Sequence, residues 1–246
     1  MKNRIPENHW LLNRASAHRG FHGNGVPENS MLAFKKAIEL NYPIETDVQS
    51  SKDGVLFCFH DDKVNRMTGF DSRIWDMTAE EIKKLKLNGS EEKIPTFVEF
   101  LNFVGGRVPL LIEIKSQPKN EEVVKKIIEL LDGYSGEFVI QSFDPRILRS
   151  VRILRPEIIR GQLIDKDRHK ELKFVTDFLL SHGLLNFMSK PDFININKDY
   201  LPVSRRLKGK RHVLCWTVTT MEEERKAHPY VKGYVFENID PTLKQE

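Results

Sequence analysis

The 246-residue sequence predicts an α/β fold, a TIM (β/α)8 barrel, on three observations. Short runs of β-branched and aliphatic residues alternate with longer segments whose apolar residues recur at three and four spacing, the pattern of strands and crossover helices in a parallel sheet. The length is one at which single barrels commonly occur. One link, QSSKDG, is too short for a helical crossover and contains Asp53-Gly54, a hairpin signal. A doubly wound open sheet is the alternative that the same alternation allows.

The elements follow in order. The strand-like runs are SAHRG, IETDV, VLFCFH, VPLLIEIK, FVIQSF, IIRGQL, FININ, HVLCWTV and GYVFEN. Between most of them lie the helical segments SMLAFKKAIEL, TFVEFLNFV, NEEVVKKIIELL, DPRILRSVRIL, HKELKFVTDFLLSHG and TMEEERKAH. Ser30 caps the first helix, and Asp144 with Pro145 starts the fourth. Nine runs exceed a barrel by one, and the hairpin accounts for the excess. If the turn centres near Asp53, residue 47 faces about residue 59 and residue 46 about residue 60, so the third run is an antiparallel excursion that returns His60 beside Glu45 and Asp47. Eight parallel strands remain, with a partly irregular insertion at about 64–95. The whole chain, 1–246, reads as one barrel domain.

Composition narrows the function classes. The hydrophobic content of 39% and charged content of 30% suit a globular protein with a real core. A net charge of +4 suits an anionic small substrate and is too weak to argue for nucleic acid. The basic run SRRLKGKR, 204–211, reads as a solvated helix end. Cys58 and Cys215 each sit inside an apolar run and read as free, buried strand cysteines. No stretch approaches the ~20 apolar residues of a membrane span, and the N-terminal segment has no apolar run suited to a secretion signal, so a cytoplasmic location is expected.

The charged residues stand at the carboxyl ends of the strands, where barrels of this kind place their chemistry. The first strand ends in His18-Arg19-Gly20, the second carries Glu45 and Asp47, the hairpin return ends in His60-Asp61, and VPLLIEIK ends in Glu113-Ile114-Lys115. Residues two apart on a strand share a face, which pairs Glu45 with Asp47 and Glu113 with Lys115. Three carboxylates at one barrel mouth would repel one another unless a hard divalent cation, Mg²⁺ or Ca²⁺, joined them; the bland alternative is three separate surface salt bridges. Two histidines flanking that site suggest a general acid and base, against the alternative that each is structural. His22 lies in a glycine-flanked loop and reads as a rim residue.

In order and spacing, HRG, PENS with AFKKAIE, IETDVQSSKDG, FHDDKVNRMTG, IEIK, QSF, WTV and GYVFEN resemble the glycerophosphodiester phosphodiesterase family, from about Ala17 to Asn238. The resemblance implies a TIM barrel that hydrolyses sn-glycerol 3-phosphodiesters to glycerol 3-phosphate and an alcohol. It implies His18 and His60 as the acid/base pair, Glu45, Asp47 and Glu113 as metal ligands, and Arg19 and Lys115 as phosphate contacts. Glu28 and Asn29 match a segment that braces the site, and Glu28, Gln141 and Trp216 join the substrate-binding candidates. The insertion matches a small cap at the glycerol end of the pocket. Three departures stand out: Ser30 replaces a threonine, Met67 replaces the first threonine of an R-T-T-G pattern, and the last strand reads Phe236-Glu237-Asn238. Glu237 at the mouth would bind a substrate hydroxyl or repel an anionic head group, which bears on the substrate rather than the reaction.

The expected partner is a small glycerophosphodiester, without nucleic acid or stable membrane insertion, and a homodimer is compatible with the sequence. The rival readings are a lysophospholipase D or sphingomyelinase D-like phosphodiesterase, and a non-catalytic barrel that binds a phosphate-bearing ligand. Intact His18, His60, Glu45, Asp47 and Glu113 weigh against the last.

Overall fold

The computed structural model describes residues 4–165 and 186–243. The helix expected over HKELKFVTDFLLSHG lies outside the described residues. Nine strands occur among the described residues: β1 (Ser16–Ala17), β2 (Ile44–Ser50), β3 (Leu56–Cys58), β4 (Leu110–Ile114), β5 (Phe138–Ser142), β6 (Arg160–Ile164), β7 (Phe193–Asn197), β8 (His212–Val218) and β9 (Gly233–Phe236). Eight of them are parallel and alternate with helices, the fold class of a TIM barrel, and β3 is the antiparallel excursion. The chain divides into two compact units, Ala17–Phe138 and Met1–Ser16 with Val139–Glu246.

In the unit Ala17–Phe138, β2 pairs in parallel with β1 through Ala17 and Ile44, and with β4 from Ile44 and Leu110 to Val48 and Ile114. The hairpin to β3 pairs Val48 with Cys58, and the Phe59 amide donates to the Asp47 carbonyl at 3.0 Å, so residue 47 does face residue 59. The helix Met31–Glu39 starts at Ser30, whose hydroxyl accepts from the Ala33 amide at 3.1 Å and donates to the Pro27 carbonyl at 2.7 Å. It buries Ala33, Phe34 and Ala37, and the Phe34 ring packs 4.4 Å from Phe100 on the helix Phe97–Val104. That second helix begins with a reciprocal capping box between Thr96 and Glu99. The helix Asn120–Asp132 buries Val123, Val124, Ile127, Ile128 and Leu131, the stripe its periodicity predicts.

The insertion is short helical turns, Asn65–Thr68, Ile74–Asp76 and Ala79–Lys84, held by an apolar cluster of its own. Val64, Met67, Ile74, Ile82, Leu87 and Ile94 gather there with Phe57 and Phe59 of the hairpin return. Burial of that cluster fixes the segment that carries His60.

In the other unit, β6, β7, β8 and β9 pair in parallel in sequence order, with β5 beside β6. The Phe193 ring on β7 packs against Gly161 on β6, where a β-carbon would come within 2.1 Å of the ring. The helix Pro145–Leu154 follows β5, with Asp144 as its cap and Pro145 in its first turn, as expected. Glu224, on the helix Met221–Ala227, accepts from the hydroxyls of Tyr234 and Thr242 and so ties β9 to the C-terminal segment. Cys58 and Cys215 are free and buried, and burial pushes the Cys215 thiol up to about 12 and Cys58 higher still, which leaves neither as a nucleophile. Arg205, Arg206 and Lys208 of the basic run are exposed on a short helix. No helix among the described residues is long and apolar enough to cross a membrane.

Candidate active site

The site in Ala17–Phe138 begins with strand register. The two-residue period of β2 puts Glu45 and Asp47 on one face, and parallel pairing sets Asp47 level with Glu113 on β4. The three carboxylates are 1–6% exposed, and each offers an oxygen within 4.8 Å of the others. Lys115, two residues on from Glu113, places Nζ 2.8 Å from Glu113 Oε1 and 3.2 Å from Asp47 Oδ1. Burial holds the Glu45 carboxyl well above its ordinary value, reinforced by repulsion from Asp47 and Glu113. Burial pulls Asp47 the same way, but the charges of Lys115, His60, Arg19 and His18 outweigh it and hold Asp47 far below the usual carboxylate range.

The loop after β1 supplies the next group. Arg19 adopts a left-handed backbone, φ 53°, and Gly20 follows at φ 78°, where a β-carbon would press to 2.9 Å on Ala33. This tight exit aims the Arg19 amide at Glu45 Oε2, 3.0 Å away, and the guanidinium at Glu28 Oε1 (2.8 Å) and Asp47 Oδ2 (3.5 Å). Arg19 Nε is buried and makes no hydrogen bond, although Asp47 is near. Asn29, also left-handed, donates to Asp47 Oδ2 at 3.0 Å and accepts from the Thr46 hydroxyl at 2.8 Å. His18 Nε2 stands 4.0 Å from Glu45 Oε2, and its ring centroid lies 6.5 Å from that of His22.

His60 arrives from the hairpin return. Its Nδ1 lies 2.6 Å from Asp61 Oδ1, and Gln49 Nε2 donates to the carbonyls of Phe59 (2.9 Å) and Asp61 (2.8 Å), the residues on either side of it. A carboxylate acceptor on Nδ1 favours the proton on that nitrogen, so in the neutral ring Nε2 is the acceptor. Burial would raise the Asp61 carboxyl, but hydrogen bonds from His60 and Arg66 hold it well below its ordinary range.

Eight of the residues singled out from sequence thus occupy one unit: His18, Arg19, Glu28, Glu45, Asp47, His60, Glu113 and Lys115. Glu28 is engaged by two guanidiniums, those of Arg19 and Arg66. Gln141, Trp216 and Glu237 belong to the other unit. There Gln141 Oε1 accepts from Asn195 Nδ2 at 2.8 Å, Trp216 Nε1 reaches the Asn195 carbonyl at 3.4 Å, and Glu237 follows the end of β9. Sequence reading overlooked Gln49 and Arg66. Gln49 shares its strand face with Asp47 and Glu45, a signal that was present; the spacing of Arg66 says nothing of its reach to Glu28. A cavity of about 890 Å³ in the second unit, lined by Arg4, Arg160, Lys190, Asp192, Lys210 and Arg211 among others, lies at the N-terminal ends of β6–β8.

The donor set fits a hard divalent cation: three buried carboxylates lie within reach of one another, burial and mutual repulsion raise the Glu45 carboxyl, and a lysine ammonium stands beside Glu113 and Asp47. Residues 18–240 match the model of the glycerophosphoryl diester phosphodiesterase family. A glycerophosphodiester phosphodiesterase of Caldanaerobacter subterraneus subsp. tengcongensis is 41% identical over 92% of this chain and 95% of its own. Two solved structures share the fold. An Oleispira antarctica phosphodiesterase in complex with the product sn-glycerol-3-phosphate matches with TM-score 0.77 and 24% identity over 91% of this chain and 92% of its own. A glycerophosphodiester phosphodiesterase of Thermotoga maritima matches with TM-score 0.70 and 24% identity over 91% and 94%.

Proposed function

The chain is an enzyme of the glycerophosphoryl diester phosphodiesterase family, and from that premise we propose that it hydrolyses glycerophosphodiesters to sn-glycerol 3-phosphate and an alcohol, with His18 and His60 as the acid–base pair. The observation that carries this reading is the gathering of both histidines, three buried carboxylates, Arg19 and Lys115 at one end of β1, β2 and β4. Glu45, Asp47 and Glu113 would hold Mg²⁺ or Ca²⁺, which when bound would supply Lewis-acid stabilisation of charge on a phosphate oxygen.

The chain's own residues do the rest. The guanidinium of Arg19 and the ammonium of Lys115 attract the phosphate and offset charge that grows on its oxygens. The His60 tautomer set by Asp61 presents Nε2 as a proton acceptor. His18 is the partner histidine across the carboxylates: one imidazole takes the proton of the attacking oxygen and the other gives one to the leaving alcohol. Asn29 and Gln49 keep Asp47 and the His60 segment in register while the proton moves.

The test is a coupled assay for released sn-glycerol 3-phosphate over several glycerophosphodiesters, with EDTA and then with Mg²⁺ or Ca²⁺ restored. Release is expected with a cation and not with EDTA. No release from any diester with either metal refutes the reading.

A further inference from the structure

We propose that Arg66 is a positioning residue that clamps the loop after β1 to the segment carrying His60, and so orients His60 and Arg19 for the reaction. The proposal rests on the reading above in taking both as reacting-site groups. Arg66 stands on the short helix Asn65–Thr68 of the insertion. Its guanidinium forks onto Glu28, with Nη2 2.6 Å from Oε1 and Nη1 3.1 Å from Oε2, while Nε donates to Asp61 Oδ2 at 2.5 Å. Glu28 Oε1 also accepts from Arg19, and the other oxygen of Asp61 is the one bound to His60 Nδ1. The result is a continuous chain, Arg19–Glu28–Arg66–Asp61–His60, between two segments 38 residues apart in sequence.

Only a guanidinium fits this arrangement. Planar, with donors in a fixed fork, it binds one carboxylate with two nitrogens and a second with the third, which an ammonium does not do. The anchor is itself fixed: the Asn88 side chain donates to the Arg66 carbonyl, and the Asn88 amide bonds the Met67 carbonyl at 2.7 Å. Without Arg66, Asp61 loses the partner that holds its second oxygen, and the His60 ring is freed to turn and change tautomer. Glu28 loses two of its donors, and Arg19 swings with it. The Arg66 side chain is 47% exposed, so its ion pairs add little to folding stability while their geometry still governs the site.

The experiment compares Arg66→Ala and Arg66→Met with wild type and with Lys63→Ala, a control that removes an exposed ion pair to Asp71 of the insertion. The full chain, loaded with the cation that supports turnover, is assayed on the diester that wild type cleaves fastest. In both Arg66 variants kcat should fall about 10- to 100-fold, the usual effect of removing a partner that orients a reacting group, with KM within about threefold. The melting temperature should move by less than about 4 °C. Millimolar guanidinium should restore Arg66→Ala, whose missing head leaves an open place, and not wild type or Arg66→Met. In long-range ¹H–¹⁵N spectra, Arg66→Ala should shift His60 from the Nδ1-protonated form to a tautomer mixture. A kcat within about twofold of wild type, or a loss that guanidinium leaves untouched, overturns the proposal. If wild type cleaves no diester, the reading of the reaction fails instead, and the His60 spectrum still decides: an unchanged tautomer overturns the clamp.

Discussion

Lys115 puts a buried ammonium among the acidic groups, and Lys115→Met removes that charge while keeping most of the bulk. Its Nζ stands 2.8 Å from one carboxylate oxygen and 3.2 Å from another. At an effective dielectric of ~20 these contacts carry about 6 and about 5 kcal/mol of Coulomb attraction. The protein does not lose that sum, because a carboxyl protonates first. Near pH 7, protonating a group with an ordinary pKa of about 4.3 costs about 3.7 kcal/mol, which caps the penalty and agrees with the ~3–5 kcal/mol for breaking a buried pair. For a chain of this size, about 4 kcal/mol lowers the melting temperature by about 8–15 °C.

The sign with pH follows from which state binds more protons. In the variant the folded site keeps a proton that the unfolded chain releases, so stability falls as pH rises above the ordinary carboxylate range and the deficit closes as pH drops into it. Near pH 5 the same arithmetic leaves about 1 kcal/mol. The assay is thermal unfolding in EDTA at both pH values, followed by titration with Mg²⁺ or Ca²⁺. A cation that joins Glu45, Asp47 and Glu113 replaces the lost charge, so added metal should raise the melting temperature of Lys115→Met more than that of wild type. A metal-free variant melting within about 2 °C of wild type near pH 7, or a metal shift no larger than wild type's, refutes this account of the site.

Two further changes test the remaining links. His18→Ala and His60→Ala should each fold, by circular dichroism and melting, yet lose about 10²–10⁴-fold in turnover, and near-normal rates in either would defeat its assignment. Gly161→Ala should cost about 1–3 kcal/mol by chemical denaturation, because its β-carbon meets the Phe193 ring; Phe193→Leu should recover part of that in the double variant, and strict additivity would show that the contact is not the cause.

Much of this protein is written locally. The period of two in Ile-Glu-Thr-Asp-Val puts Glu45 and Asp47 on one face, and Asp53-Gly54 turns the chain so that residue 59 meets residue 47 and His60 follows. Ser30 and Asp144 cap their helices as their side chains predict, and the helical stripes are the buried ones. These features depend on neighbours within a few positions, where backbone geometry alone sets which face a residue takes. HRG, IETDV, FHDD and IEIK, four of the ordered motifs that carry the family resemblance, are legible for the same reason: each lies on a strand or just after one, with its chemistry attached.

Tertiary structure decided what joins them. That Asp47 lies level with Glu113, 66 positions away, depends on the register of two parallel strands, which is set by core packing rather than by a turn. That Lys115 bridges Asp47 and Glu113, that Asn29 reaches both Asp47 and Thr46, and that Arg66 forks onto Glu28 are statements about where side-chain ends meet. No periodicity encodes such meetings, because a polar side chain takes its partner from whatever the packed backbone brings within about 3 Å. The sequence determined by itself the strand–helix alternation and the faces of the strands; only packing within Ala17–Phe138 brought Glu45, Asp47, Glu113 and Lys115 together.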